Sequence, residues 1–313
     1  MADIRIRSLL KGLGSFVVPS FRNSHVGPGA VLSAETLYSI FLRYLSYLNG
    51  CEDFSIDGAV VVELGPGSSI GFGMAALLAG ASRFYAFDHI NHISTDTDLR
   101  VFDRLLELFH QKAGVPHAGK DAHVFPFLPC YDFPDSCLPR DSLRSTLDDK
   151  RVADIRQDIA DRKGHYVNYQ APWSIEMSNI SDKADLIVSN AVLEHVDDVE
   201  LAYTAFRNWV KPGGYMAHLI DYGSHTLFNT WNGHWACSEF TWKGIRGKRH
   251  YLINRVPHFR HLELLAKFNF DVIADLRIQR VDGLVKESFG AQFRNMTADD
   301  ANTHLAFLVS RAN

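Results

Sequence analysis

The sequence predicts an α/β fold: a doubly wound, mostly parallel seven-stranded sheet with an N-terminal helical cap and insertions. Three observations carry this expectation. Ala59-Val-Val-Val-Glu-Leu is a short β-branched run of the kind buried in a parallel sheet. It is followed by the turn Gly65-Pro-Gly-Ser-Ser and by Ile70–Ala81, apolar and small enough to be a helix packed on a sheet. Arg83–Asp88 then reads as a second strand that ends in an acid. Strand, glycine turn, helix, strand and acid form the opening of a nucleotide-binding α/β unit.

Composition agrees with one globular body. The chain has 313 residues, 46% hydrophobic and 22% charged, enough to bury a sizeable core without disulfides. Its formal net charge of -4 lacks the basic excess of a nucleic-acid binder, and no nucleic-acid partner is expected. The four cysteines, Cys51, Cys130, Cys137 and Cys237, form no CxxC pair and match no zinc knuckle. They read as a reduced, cytoplasmic inventory. No apolar run reaches the ~20 residues of a membrane span. Near the N-terminus, Ile4, Ile6, Leu9, Leu10, Leu13 and Phe16 interleave with Arg5, Arg7 and Lys11, and Gly12, Gly14 and Pro19 interrupt the pattern. This reads as a short element packed on the body rather than a secretory signal.

Residues 1–57 form the cap: Ser33 can cap a helix whose stripe is Leu37, Ile40, Phe41, Tyr44, Leu45 and Leu48, and Gly50 ends it. Residues 58–313 form the main body, with insertions at about 89–163 and 222–257. In the first insertion, Asp98–Ala113 and Asp141–Lys163 look helical, whereas the proline-rich Phe125–Pro139 resists assignment. A third strand is expected at His165–Gln170 and a fourth at Ala184–Asn190, followed by a helix over Ala191–Val210. Lys211-Pro-Gly-Gly reads as a turn before a fifth strand, Tyr215–Asp221. Arg260–Phe268 is helical, and Phe270–Arg280 and His304–Ser310 supply the last two strands.

The chemistry concentrates at Val62-Glu63-Leu64-Gly65-Pro66-Gly67. Glycines at 65 and 67 let backbone approach a ligand closely. A dinucleotide-binding loop would read GxGxxG, but here the third glycine, Gly71, comes one residue late. Glu63 also suits a cationic ligand end better than a pyrophosphate, which prefers bare amides. Asp88 stands where an acid accepts bonds from ribose hydroxyls.

These segments, with Asp185-Leu-Ile-Val-Ser-Asn-Ala-Val-Leu-Glu-His-Val and Val210-Lys-Pro-Gly-Gly-Tyr, resemble the class I S-adenosylmethionine (SAM)-dependent methyltransferase superfamily, with its Rossmann-like fold. The resemblance runs from about Ala59 to Asp221, and it fixes fold and cofactor more closely than acceptor. Gly223–Phe270 is loosely similar to bacterial methyltransferases of glycan or secondary-metabolite synthesis. The resemblance implies that Glu63, Gly65, Pro66 and Gly67 hold the methionine part of SAM and Asp88 the ribose. It places His89 or Ile90, and Trp173, near the adenine, and Asn190 and Ala191 beside the sulfonium. The product would be S-adenosylhomocysteine (SAH). The long 89–163 excursion departs from the family and puts the alignment of the third strand, and so of Trp173, in question.

Transfer to an alcohol or phenol needs a base near the carboxyl ends of the fourth and fifth strands. His195 is one candidate, with a structural role for Glu194 and His195 as the alternative. Asp221 with His225 is another, whereas His218, inside the fifth strand, reads as a core histidine. No metal site is expected from the spacing. Phe228, Trp231, His234, Trp235, Phe240 and Trp242 could wall a pocket, form the core of the insertion or meet a second copy in a homodimer. The function expected is methylation of a small-molecule or glycan acceptor, on oxygen rather than nitrogen. A protein methyltransferase and a non-catalytic SAM-binding scaffold are the alternatives.

Overall fold

The computed structural model describes residues 3–22, 32–51, 53–116, 125–174 and 180–313. Its centre is one seven-stranded sheet in the order β3-β2-β1-β4-β5-β7-β6. The strands are β1 Val60–Leu64, β2 Arg83–Phe87, β3 Val167–Gln170, β4 Ala184–Asn190, β5 Val210–Asp221, β6 Phe270–Gln279 and β7 Thr303–Ala312. β1 to β5 pair in parallel, and β7 inserts antiparallel between β5 and β6. Val62 aligns with Tyr85 of β2 on one side and Ile187 of β4 on the other. Strand order reverses at β1, so a crevice opens at the carboxyl edge beside it.

Ten helices flank the sheet among the described residues: α1 Ile6–Gly14, α2 Ala34–Leu48, α3 Gly71–Leu78, α4 Thr95–His110, α5 Arg140–Thr146, α6 Asp149–Asp161, α7 Val199–Trp209, α8 Glu239–Arg246, α9 His258–Lys267 and α10 Ala298–Asn302. Ser33 caps α2 by accepting a bond from the Thr36 amide at 3.2 Å. The stripe read from the sequence then packs against α3 and α4, with Phe41 edge-on to Phe72 at 5.5 Å and to Phe109 at 6.2 Å. The N-terminal segment thus divides between two surfaces. α2 joins the main core, whereas α1 lies on α8 of the second insertion. At that contact Gly12 meets the Gly244 and Ile245 carbonyls so closely that a Cβ would overlap them.

Three local expectations are corrected. The helix expected over Ala191–Val210 is α-helical only from Val199, because Asp198 turns its carboxylate onto the Leu201 amide at 3.0 Å and starts a new helix there. Leu193–His195 before it is a 3₁₀ turn. The helix expected over Asp141–Lys163 breaks into α5 and α6, because Asp148 caps α6 through the Lys150 and Arg151 amides. Lys211-Pro-Gly-Gly belongs to β5, which carries a register shift against β4 between Ala184 and Leu186. No helix among the described residues is long and apolar enough to cross a membrane.

α3 is pressed onto β2 at Gly73, where an added Cβ would overlap the Phe84 ring, itself fully buried. Gly73→Ala is therefore expected to destabilise the protein by about 1–3 kcal/mol despite alanine's better helix propensity. A lowered urea midpoint with unchanged slope checks this, and an unaltered midpoint would refute so tight a contact.

Candidate active site

The glycine turn after β1 is held from both sides. Gly65 has a φ of +74°, and a Cβ there would lie 2.6 Å from Val192. Its amide donates to the Phe87 carbonyl at 2.8 Å, which locks the turn to the end of β2. Gly67, with φ +67°, donates its amide to Asp88 Oδ2 at 3.1 Å. The other oxygen, Oδ1, accepts from the His89 amide at 2.7 Å and faces His89 Nδ1 at 2.9 Å. Pro66 lies half-buried between the glycines.

Glu63, buried at the end of β1, presents Oε2 without a hydrogen-bond partner among the described residues. Burial, and then the charge of Asp88, push its pKa up to about 8. A buried carboxylate short of a donor, beside a turn whose glycines leave room for backbone approach, fits a ligand that brings an ammonium. The residues present therefore fit the amino-acid end of SAM.

Asn190 ends β4, and its Oδ1 accepts from Tyr44 of α2 at 3.1 Å. Ala191 follows with φ +54°, its amide bonded to the Leu219 carbonyl at 2.9 Å. Trp173 donates its amide to the Asp88 carbonyl at 2.8 Å, while its ring meets Trp209 edge-on at 5.7 Å. The His89 ring lies against Tyr251, with centroids 3.6 Å apart.

The three candidate bases come together although they lie on three segments. His195 sits on the 3₁₀ turn after β4, not inside a helix. Its Nδ1 lies 3.0 Å from the Tyr251 carbonyl, and its ring is 4.9 Å from that of His225. His225 Nε2 lies 3.2 Å from Asp221 Oδ2 at the end of β5. Burial acts to raise the Asp221 pKa, but His225, the Gly223 amide and His304 outweigh it and hold the carboxyl below its ordinary value. His218 is buried inside β5, bonded through Nδ1 to Ser189 Oγ at 2.8 Å, and burial depresses its pKa to about 3.

Four residues of this site lay outside the sequence-based candidates. Tyr44 reads from the sequence only as one member of an apolar stripe. Tyr251 and Asn254 sit in an insertion without motif. Asn254 fixes the 3₁₀ turn: its side chain donates to the Leu193 carbonyl at 2.7 Å and the Val196 carbonyl at 3.0 Å, and its amide to the Glu194 carbonyl at 2.6 Å. Glu194 reads as a structural partner of His195, yet it is buried with both carboxylate oxygens unpartnered among the described residues. The adjacency of Glu194 and His195 just past Asn190 was the available signal.

The aromatic stretch is chiefly core. Phe228, Trp231, His234, Trp235 and Trp242 are buried, and Phe240 alone of the six is exposed. The cavity beside the candidate bases, about 500 Å³, is lined instead by His195, His225, Leu252, Arg5, Lys11 and Arg249, among others.

A sheet ordered 3-2-1-4-5-7-6, with a glycine turn after β1 and an acid after β2, defines the class I SAM-dependent methyltransferase fold. Residues 55–274 match the Methyltransferase domain family, and the chain belongs to it. It is a SAM-dependent methyltransferase. Among solved structures it is similar to magnesium protoporphyrin IX methyltransferase from Synechocystis with bound SAH, at 10% identity and a TM-score of 0.43, covering 96% of this chain and 99% of that one. It is also similar to 1,6-didemethyltoxoflavin-N1-methyltransferase from Burkholderia thailandensis, at 13% identity and a TM-score of 0.42, covering 98% and 88%. A SAM-dependent methyltransferase from Mesorhizobium loti matches at 13% identity and a TM-score of 0.41, covering 86% and 95%. No curated protein matches.

Removing the Asn254 side-chain amide leaves two carbonyls of the 3₁₀ turn, those of Leu193 and Val196, without their donor. Asn254→Ala is expected to cost about 1–3 kcal/mol of stability. Thermal unfolding checks this, and an unchanged melting temperature would show that the turn holds itself.

Proposed function

We propose that this methyltransferase acts on an oxygen of a small-molecule or glycan acceptor, with the Asp221, His225 and His195 cluster taking the acceptor proton. The observation that carries the reading is that cluster's position: two imidazoles 4.9 Å apart at the carboxyl ends of β4 and β5, one of them 3.2 Å from a carboxylate, opening on a cavity. A cavity of about 500 Å³ suits a sugar or an aromatic ring rather than a folded surface. Arg5, Arg7 and Lys11 also line it, which favours an acceptor carrying an anionic group, whereas Arg249 is buried with its guanidinium bonded to the Ser8 and Ile245 carbonyls. Four free thiols are compatible with a cytoplasmic enzyme.

SAM, when bound, supplies the methyl group on a sulfonium that leaves as a neutral thioether. In this proposal Glu63 pairs with its ammonium, the backbone at Gly65, Pro66 and Gly67 receives the methionine chain, and Asp88 accepts from the ribose hydroxyls. His89 and Trp173 border the adenine, and Asn190 and Ala191 border the sulfonium. The protein's contribution is then alignment of the acceptor oxygen with the methyl carbon. As the oxygen–methyl bond forms and the sulfur–methyl bond breaks, the hydroxyl proton passes to an imidazole. Asp221 steadies the imidazolium at His225.

Label transfer from methyl-labelled SAM into fractionated metabolites, glycans, lipids and proteins tests the acceptor class. Counts in the metabolite or glycan fraction are expected, and counts confined to protein would overturn the reading. His195→Ala is expected to lower turnover by ~10²-fold while leaving SAH affinity unchanged. Asp88→Ala is expected to weaken SAH binding by about 1.5–3 kcal/mol.

Glu63 makes SAH binding depend on pH. Its carboxyl, with a pKa near 8 in the free protein, is mostly protonated at pH 7. A bound ammonium favours the ionised form, so binding releases a proton below about pH 8. SAH affinity should rise ~10-fold per pH unit up to that pH and flatten above it. Calorimetry in buffers of different ionisation enthalpy reads the proton directly, and pH-independent binding with no proton released would remove Glu63 from the role.

A further inference from the structure

We infer that Glu194, His195 and His225 form a binding site for one divalent first-row transition-metal ion, of which Zn²⁺ is the type. One carboxylate oxygen of Glu194 and one ring nitrogen of each histidine all lie within 4.8 Å of one another. Ligand atoms of a tetrahedral ion lie ~3.4 Å apart at the usual ~2.1 Å bond lengths, so small side-chain movements close the three onto a shared ion. Two imidazoles with a carboxylate are a ligand set that suits zinc or iron rather than magnesium, which prefers oxygen.

Two further observations support the site independently of that proximity. The first is Glu194 itself. It is 3% exposed, and neither oxygen makes a well-formed hydrogen bond among the described residues; its own and the Asp221 backbone amides offset its burial only in part. A buried carboxylate without a partner is costly, and a bound cation is the partner it lacks. The second is the support behind each histidine. Metal-bound imidazoles almost always give their other N–H to a carboxylate or a backbone carbonyl. Here His195 Nδ1 faces the Tyr251 carbonyl at 3.0 Å, and His225 Nε2 faces Asp221 at 3.2 Å. Those bonds select the tautomers that present a lone pair at His195 Nε2 and His225 Nδ1. The Asn254 clamp on the 3₁₀ turn, in turn, fixes Glu194 and His195 with respect to each other.

His195 and His225 line the cavity, so the ion's remaining positions face the space assigned above to the acceptor. Only this consequence rests on the proposed function. With the ion bound, an acceptor oxygen coordinated there would lose its proton to solvent through the cavity; with the site empty, an imidazole takes it as proposed above.

The test uses the full chain, stripped with chelator and without SAM or acceptor, so that its failure is separate from failure of the methyl-transfer reading. Zn²⁺ titration by calorimetry, with metal content after gel filtration, is expected to give one ion per chain. Mg²⁺ should not compete at tenfold excess. Glu194→Gln and His225→Ala are each expected to weaken Zn²⁺ binding by 100-fold or more. SAH binding reports on folding in both variants, and His225, on a half-exposed loop, is the safer substitution. No stoichiometric Zn²⁺ in the wild type, or equal retention by a variant that still binds SAH, would overturn the site and leave Glu194 as a neutral buried acid.

Discussion

β1 pairs in parallel with β2 through Val62 and Tyr85 and with β4 through Val62 and Ile187, and the chain crosses to opposite faces of the sheet on either side of it. Everything chemical in the molecule follows from the crevice this leaves. Glu63, the glycine turn, Asp88, Asn190 and the turn bearing Glu194 and His195 all sit at the carboxyl ends of β1, β2 and β4. β5 then delivers Asp221 to the same edge, because its register keeps Asn190 level with Leu219, two residues before that carboxylate. α2 closes the crevice from the N-terminal side by reaching Asn190 with Tyr44.

What could be read from the sequence was what is local. A β-branched run, a glycine turn and a strand-ending acid are encoded within about thirty residues, and their geometry follows from backbone sterics. Ser33 could be read as a cap for the same reason, since its partner lies only three residues away. Contacts between distant segments could not. Nothing near Tyr44 points to Asn190, 146 residues on, and nothing near Asn254 points to the Leu193 carbonyl. The over-long helix at Ala191 has a related cause. Apolar spacing there continues a helical period, and the break depends on whether Asp198 turns its side chain onto the backbone, a choice that periodicity does not encode.

Fifteen histidines made the sequence look rich in candidate bases, and burial separates them. His218, His234 and His261 are fully enclosed, and burial drives each to a pKa of about 3, so they stay neutral within the core. His258 is equally enclosed but lies between Asp275 and Asp300, at 3.0 and 3.3 Å, where it ties α9 to β6 and α10. His195 and His225 differ in having one side in the protein and the other on a cavity. That position lets an imidazole exchange a proton or a ligand with something that arrives from solvent.

The backbone around those two residues is held in conformations that side chains rarely adopt. Ala191, His225, Thr226 and Tyr251 all have positive φ, at 54°, 44°, 63° and 54°. Each such residue costs on the order of 1 kcal/mol or more unless its surroundings fix it. Here they do. The Ala191 amide is bonded to Leu219, Tyr251 offers its carbonyl to His195, and Ser224 beside His225 is bonded to the Thr230 and Trp231 carbonyls. A relaxed loop would turn His225 away from Asp221, and a relaxed Tyr251 would withdraw the carbonyl that orients His195. The strain and the convergence of the two imidazoles therefore have one origin: a backbone shaped so that residues 195, 221 and 225 meet, at a cost in stability that packing alone would not select.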